Sequence, residues 1–161
     1  MRKAVAVFMV VLGATTLPSL VQAQNQNPVV QEVRQTIMAG YAYAAETLKA
    51  QPNTVSAEGS LEYWSSGGLS NNVSADDPGP SYVSFNMVPK FIRVIPMGDT
   101  YATAMYFVEG SYQEVGADPV SHYFTRAMEV YVKENGEWKV RAAHWSPVVG
   151  GTGTMQTAVV R

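Results

Sequence analysis

YFTRAMEVYVKENGEWKVRAAHWSP, Tyr123 to Pro147, divides into two long β-strands at Asn135-Gly136. That pair suits a type I′ turn, because both residues take positive φ at low cost. Val130, Tyr131, Val132 and Val140 supply the β-branched and aromatic bulk that strands favour. A two-residue loop sets the register. Lys133 then faces Trp138, Tyr131 faces Val140, Ala127 faces His144 and Arg126 faces Trp145. Alternation along each strand puts Arg126 and Trp145, with Phe124, Met128 and Val132, on one side of the sheet. Ala127, Glu129 and His144 fall on the other.

On the N-terminal side, Phe91 to Ile95 and Tyr101 to Glu109 read as a second hairpin turning at Met97-Gly98-Asp99. Gly116-Ala117-Asp118-Pro119 makes a wider turn into the first stretch. Leu61 to Trp64 is a short extended segment, Ser65 to Gly68 a bend, and Asn71 to Pro80 a loop on its Asn, Asp, Pro and Gly content. Further back, Asn27 caps a helix whose first turn holds Pro28. Val30, Val33, Ile37, Tyr41, Ala44 and Leu48 form its apolar stripe, and it ends before Pro52. One amphipathic helix of about 20 residues followed by antiparallel hairpins gives an α+β fold, the helix packed on one face of a curved antiparallel sheet.

Residues 1–23 read as a secretory signal peptide cleaved after Ala23. Arg2 and Lys3 precede an apolar run from Ala4 to Ala14, too short to span a membrane. Residues 24–161 suit one domain, and a periplasmic or secreted protein is expected. Without cysteine, the domain is stabilised by packing and not by disulfides. Removing Arg2 and Lys3 leaves 9 basic against 13 acidic residues, a formal charge of −4. No basic cluster remains, which argues against nucleic acid or membrane as a partner after cleavage. The tail after Pro147, rich in Gly, Thr and Val, shows no periodicity.

The C-terminal third resembles the closing pattern of the SnoaL-like proteins, members of the nuclear transport factor 2-like superfamily that also holds the steroid Δ-isomerases. The residues that carry the likeness are Arg126, Glu129-Val130, Asn135-Gly136, Trp138-Lys139-Val140 and His144-Trp145-Ser146. Met128 stands where the family has threonine, and the usual three-helix start is reduced to one clear helix. The resemblance implies a cone, a bent sheet whose concave side is closed by helices to leave a pocket. It also implies a homodimer through the outer sheet face.

Two constellations follow from the register. Arg126 over Trp145 would be a cation in an apolar pocket, suited to a carboxylate or other anion. The competing reading pairs Arg126 with a structural carboxylate. Glu129 beside His144 would be an acid–base unit, with Glu109 as another carboxylate for an isomerase- or hydrolase-type enzyme. The aspartates at 76, 77, 99 and 118 all fall in loops, so none is placed as a base. His122 and His144 lack metal-ligand companions, and Gly150-Gly151-Thr152-Gly153 is not a phosphate loop, so neither a metal nor a cofactor is expected. The expectation is an exported protein whose pocket binds a small, mostly apolar molecule between Trp64, Tyr106, Arg126, Met128 and Trp145. The alternatives are the enzyme using Glu129 or Glu109 with His144, and a dimeric assembly module whose cone is filled by side chains.

Overall fold

The computed structural model describes residues 27–148 and Gly151. The expected signal peptide and the rest of the tail lie outside the described residues. Helix α1 spans Pro28–Thr47, and the strands are β1 Ser60–Tyr63, β2 Asn71–Val73, β3 Tyr82–Pro96, β4 Tyr101–Glu114, β5 Val120–Glu134 and β6 Glu137–Pro147. They form one curved, unclosed sheet in the order β2-β1-β6-β5-β4-β3.

The helix begins as its cap predicts. Asn27 Oδ1 accepts the Val29 amide at 2.9 Å, and Pro28 occupies the first turn. Val29, Val30, Val33, Ile37 and Ala44 are buried against the sheet, chiefly on β3. Leu48 closes the helix in the left-handed region at φ 57°, its amide bonded to the Ala44 carbonyl. Its own carbonyl accepts the Tyr82 amide at 2.8 Å, tying the helix end to the start of β3. At the other end, Glu32 accepts Lys133 Nζ at 2.6 Å and Trp138 Nε1 at 2.8 Å. One carboxylate thereby pins α1 to the β5–β6 hairpin.

The expected α+β architecture is present, with three additions. The β3–β4 hairpin is longer than Phe91–Ile95 and Tyr101–Glu109. Asn71–Val73, expected as loop, is a strand paired with β1. The sheet is mixed, because β1 lies parallel to β6. Such a long-range pairing leaves no local trace in a four-residue segment.

Asn135 and Gly136 have φ of 52° and 87°, as a type I′ turn requires. The register holds for Lys133 with Trp138 and Tyr131 with Val140. It then slips by one, because β6 carries one extra residue, Arg141, before Ala142 meets Val130. Ala127 therefore faces Trp145 and Arg126 faces Ser146, which corrects the expected Arg126–Trp145 and Ala127–His144 pairs. Further shifts at Lys90/Arg93 and Gly110/Tyr112 add to the local bending that bulges produce.

Gly110 shows how closely β3 and β4 approach. Its φ is 150°, and a Cβ there would sit 2.0 Å from the Asn86 carbonyl oxygen. Gly110→Ala should therefore cost about 2–3 kcal/mol, the usual scale of backbone strain with overpacking. The urea midpoint followed by tryptophan fluorescence measures it, and an unchanged midpoint would contradict this account of the strand contact.

Candidate functional site on the inner face

The inner face, on which α1 packs, carries the odd-numbered residues of β5 and the even-numbered residues of central β4. Tyr123, Thr125, Ala127, Glu129 and Tyr131 are all buried along β5, as are Ala102, Ala104, Tyr106 and Val108 along β4. A carboxylate therefore occurs in the middle of the core, at 6 % exposure.

Register places its neighbours. Glu62, Ala143, Glu129, Ala104 and Val94 form one row across β1, β6, β5, β4 and β3. The alanines either side of Glu129 keep bulk away from it. In the next row Tyr106, Ala127 and Trp145 line up, and the Tyr106 and Trp145 rings meet edge to face over the small residue at 5.8 Å. Tyr41 from α1 meets Tyr106 edge to face at 6.4 Å.

The polar atoms converge on the acid. Tyr131 Oη donates to Glu129 Oε2 at 2.5 Å, and Tyr106 donates to the same carboxyl group. The Tyr41 hydroxyl hydrogen-bonds Tyr106. Burial pushes Glu129 up to about 7, helped by the negative charge of Glu62, while the two phenol hydrogen bonds pull the other way. Burial raises Tyr41, Tyr106 and Tyr131 well above their ordinary range, with Glu129 adding to each. The phenols are therefore proton donors at every physiological pH. Glu62 accepts Trp64 Nε1 at 2.8 Å, at the half-buried border of the face.

The expected site residues divide between the two faces. Tyr106 and Trp145 face inward near Glu129, and Trp64 reaches the group through Glu62. Arg126 and Met128 point outward. Arg126 Nε donates to Ser146 Oγ at 2.9 Å, and Met128 is 43 % exposed between Met105 and His144. His144 is exposed on the outer face, its ring 5.9 Å from Tyr63, so it does not form the expected unit with Glu129. Glu109 is engaged by Lys90 at 2.6 Å, which holds its carboxyl below the ordinary range. Its partner across β4–β5 is Phe124, on the face opposite Glu129.

Glu62, Tyr41 and Tyr131 went unassigned in the sequence. Tyr131 follows Glu129 by two in one strand, a spacing that puts both on one face and signals the contact. Tyr41 lies on the helix stripe and reads as core. The position of Glu62 depends on the parallel β1–β6 pairing. Among the described residues no group of three or more histidine, aspartate and glutamate side chains is placed to hold a metal ion.

These features define a class, a curved sheet closed by a helix with an acid–phenol cluster on the covered face. No protein-family model matches the chain, and no curated protein matches it. Solved structures do. A candidate aromatic ring hydroxylase from Novosphingobium aromaticivorans is 17% identical, with a TM-score of 0.61 over 83% of this chain and 99% of that one. An NTF2-like protein of unknown function from Prochlorococcus marinus is 13% identical, with a TM-score of 0.51 over 80% and 96%. A candidate calcium/calmodulin-dependent protein kinase II association domain from Xanthomonas campestris is 15% identical, with a TM-score of 0.53 over 77% and 91%. The chain has the nuclear transport factor 2-like fold.

Glu129 makes stability depend on pH. Its folded value of about 7 lies above the ordinary 4.5, so between these pH values the native state holds a proton that the unfolded chain has released. Stability should fall as pH rises through that window and level off above it, by roughly 3 kcal/mol at most. Urea unfolding of the wild type and Glu129→Gln at pH 5 and pH 8 checks this. The wild type should lose stability relative to the variant, and parallel curves would show that Glu129 keeps an ordinary value.

Proposed function

We propose that the protein is exported by its N-terminal signal peptide and binds a small, mostly apolar molecule on the inner face of the cone. Glu129 with Tyr106 forms the polar contact, and Trp64 and Trp145 form the walls. The observation that carries this reading is a carboxyl group held near neutrality at the centre of an apolar face, bonded to two phenols and flanked by alanines. An apolar surface with a few convergent polar groups and a perturbed carboxyl is the usual form of a ligand site. Arg126 and Met128, expected in the pocket, instead join Ile95, Met105 and Phe107 on the outer face, where the homodimer is proposed to form. Those four apolar residues are 37–50 % exposed.

Native mass spectrometry of protein purified from the periplasm should show a dimer with a bound small molecule. Trp145→Ala should lower occupancy about tenfold, and Arg126→Ala should leave it unchanged, since an apolar wall contributes about 1.5–3 kcal/mol. A ligand-free wild type would count against the binding reading, and a monomer carrying ligand would count against the dimer alone.

A second reading is favoured by the Glu129–Ala143–Glu62 row. Two carboxyl groups in different environments, one pushed toward neutrality by burial, suit proton transfer across a bound molecule. In that reading Glu62 takes a proton and Glu129 with Tyr106 stabilises the oxygen that gains charge. Isomerisation of a β,γ-unsaturated ketone tests it. Glu62→Gln should lower the rate about 10²–10⁴-fold, and Glu129→Gln should remove the pH dependence near 7. No turnover above the uncatalysed rate would rule out ketone isomerisation.

A further inference from the structure

A second site lies at the bulge in β6 and does not rest on the inner-face reading. Bulges often re-aim a side chain, and here the extra residue is Arg141. Its side chain reaches the segment before β1, where Nε donates to Glu58 Oε2 and Nη1 to the Gly59 carbonyl, each at 3.3 Å. Charge-assisted bonds of this type are usually about 2.7–2.9 Å, so the guanidinium is held loosely. Nη2 donates to no group among the described residues.

Arg141 lines a cleft of about 570 Å³ between residues 57–61 and 72–76. That volume lies within the range of small-molecule sites. Glu58, Ser60, Asn72, Ser74 and Asp76 supply the other polar side chains of its wall. Ser60 is 3 % exposed, and its buried hydroxyl has no hydrogen-bond partner among the described residues. Asp76 is exposed and, among the described residues, engages the Ser74 hydroxyl alone, at 3.3 Å.

The charges select the ligand class. A simple anion would meet two carboxylates for one guanidinium, and a simple cation would meet Arg141. A molecule carrying both charges satisfies both, because a guanidinium takes a carboxylate in fork geometry and a carboxylate takes an ammonium. We propose that this cleft binds a small zwitterion of the α-amino-acid class. Its carboxylate pairs with Arg141, its ammonium with Asp76 and Glu58, and Asn72 and Ser74 supply further hydrogen bonds.

The test is a ¹H–¹⁵N correlation titration of the full mature chain with L-leucine, L-leucine methyl ester and N-acetyl-L-leucine. L-leucine should give saturable shifts at the amides of Asn72, Ser74 and Asp76 at millimolar concentration. The ester lacks the carboxylate charge and the acetyl derivative the ammonium charge, so each should bind at least about tenfold more weakly. Arg141→Met should abolish the L-leucine response. Glu129→Gln, outside the wall of this cleft, should leave it intact. Absence of a saturable response in the wild type, or equal affinity for all three compounds, would overturn the proposal. Both of those comparisons use the wild-type chain and do not depend on the folding of any variant.

Discussion

A single unmatched residue in β6 determines what each face of the sheet presents. Strand pairing demands that side chains alternate, so one extra residue reverses the facing of everything beyond it. Arg141 is that residue. Had the ladder run without it, His144 would stand opposite Ala127 on the inner face, and a titratable imidazole would neighbour Glu129. Instead Trp145 takes that place and meets Tyr106 edge to face, while His144 is exposed on the outer face. Among the described residues, Glu129 is thereby left beside phenols with no cation to neutralise it. The same bulge carries Arg141 to the cleft beside β1.

The consequence for Glu129 follows from competing magnitudes. Two phenol donors favour the charged form, but desolvation outweighs them and the negative charge of Glu62 adds to it. One pKa unit corresponds to about 1.4 kcal/mol, so a carboxyl lifted to about 7 reflects a destabilisation of the charged form that the rest of the core offsets. Phenylalanine at 106 and 131 would fill the same space but leave the acid without partners, and an unpaired buried polar group costs about 1–3 kcal/mol. Tyrosine at both positions is therefore a requirement of the acid as well as a packing choice. The dependence is mutual, since the carboxyl group also helps keep the phenols protonated.

The parts of this arrangement that were legible in the sequence are those specified locally. Asn27-Pro28 with the apolar stripe located α1, and Asn135-Gly136 located the hairpin to the residue. The first inter-strand pairs followed because two-residue turns admit one register. Beyond Val130 the reading failed, and it failed physically. A bulge whose extra residue stays in the ordinary backbone region needs no glycine, and Val140-Arg141-Ala142-Ala143 contains no marker of one. From that slip came the misplaced His144 and the false pairing of Arg126 with Trp145. Arg126 and Met128 face away from Glu129 in either register, and were misplaced because the face of Glu129 is the one the helix covers. Glu62 was hidden for a different reason, as it joins the site through the parallel pairing of β1 with β6, a contact between residues about 80 positions apart whose partner no local pattern names.

Likeness to solved structures at 17% identity or less establishes the fold, and a fold of this kind leaves the chemistry open. What distinguishes this chain lies in the residues of its central strands. Ala102, Ala104, Ala127 and Ala143 occupy inner positions where sheets ordinarily place valine or isoleucine. Here rings enter from the flanks to cover the alanines, and several of them, Tyr41, Trp64 and Trp145, are only half-buried. Small residues beneath half-buried rings, around a carboxyl group that burial raises to about 7, are the features of this face on which the binding proposal rests.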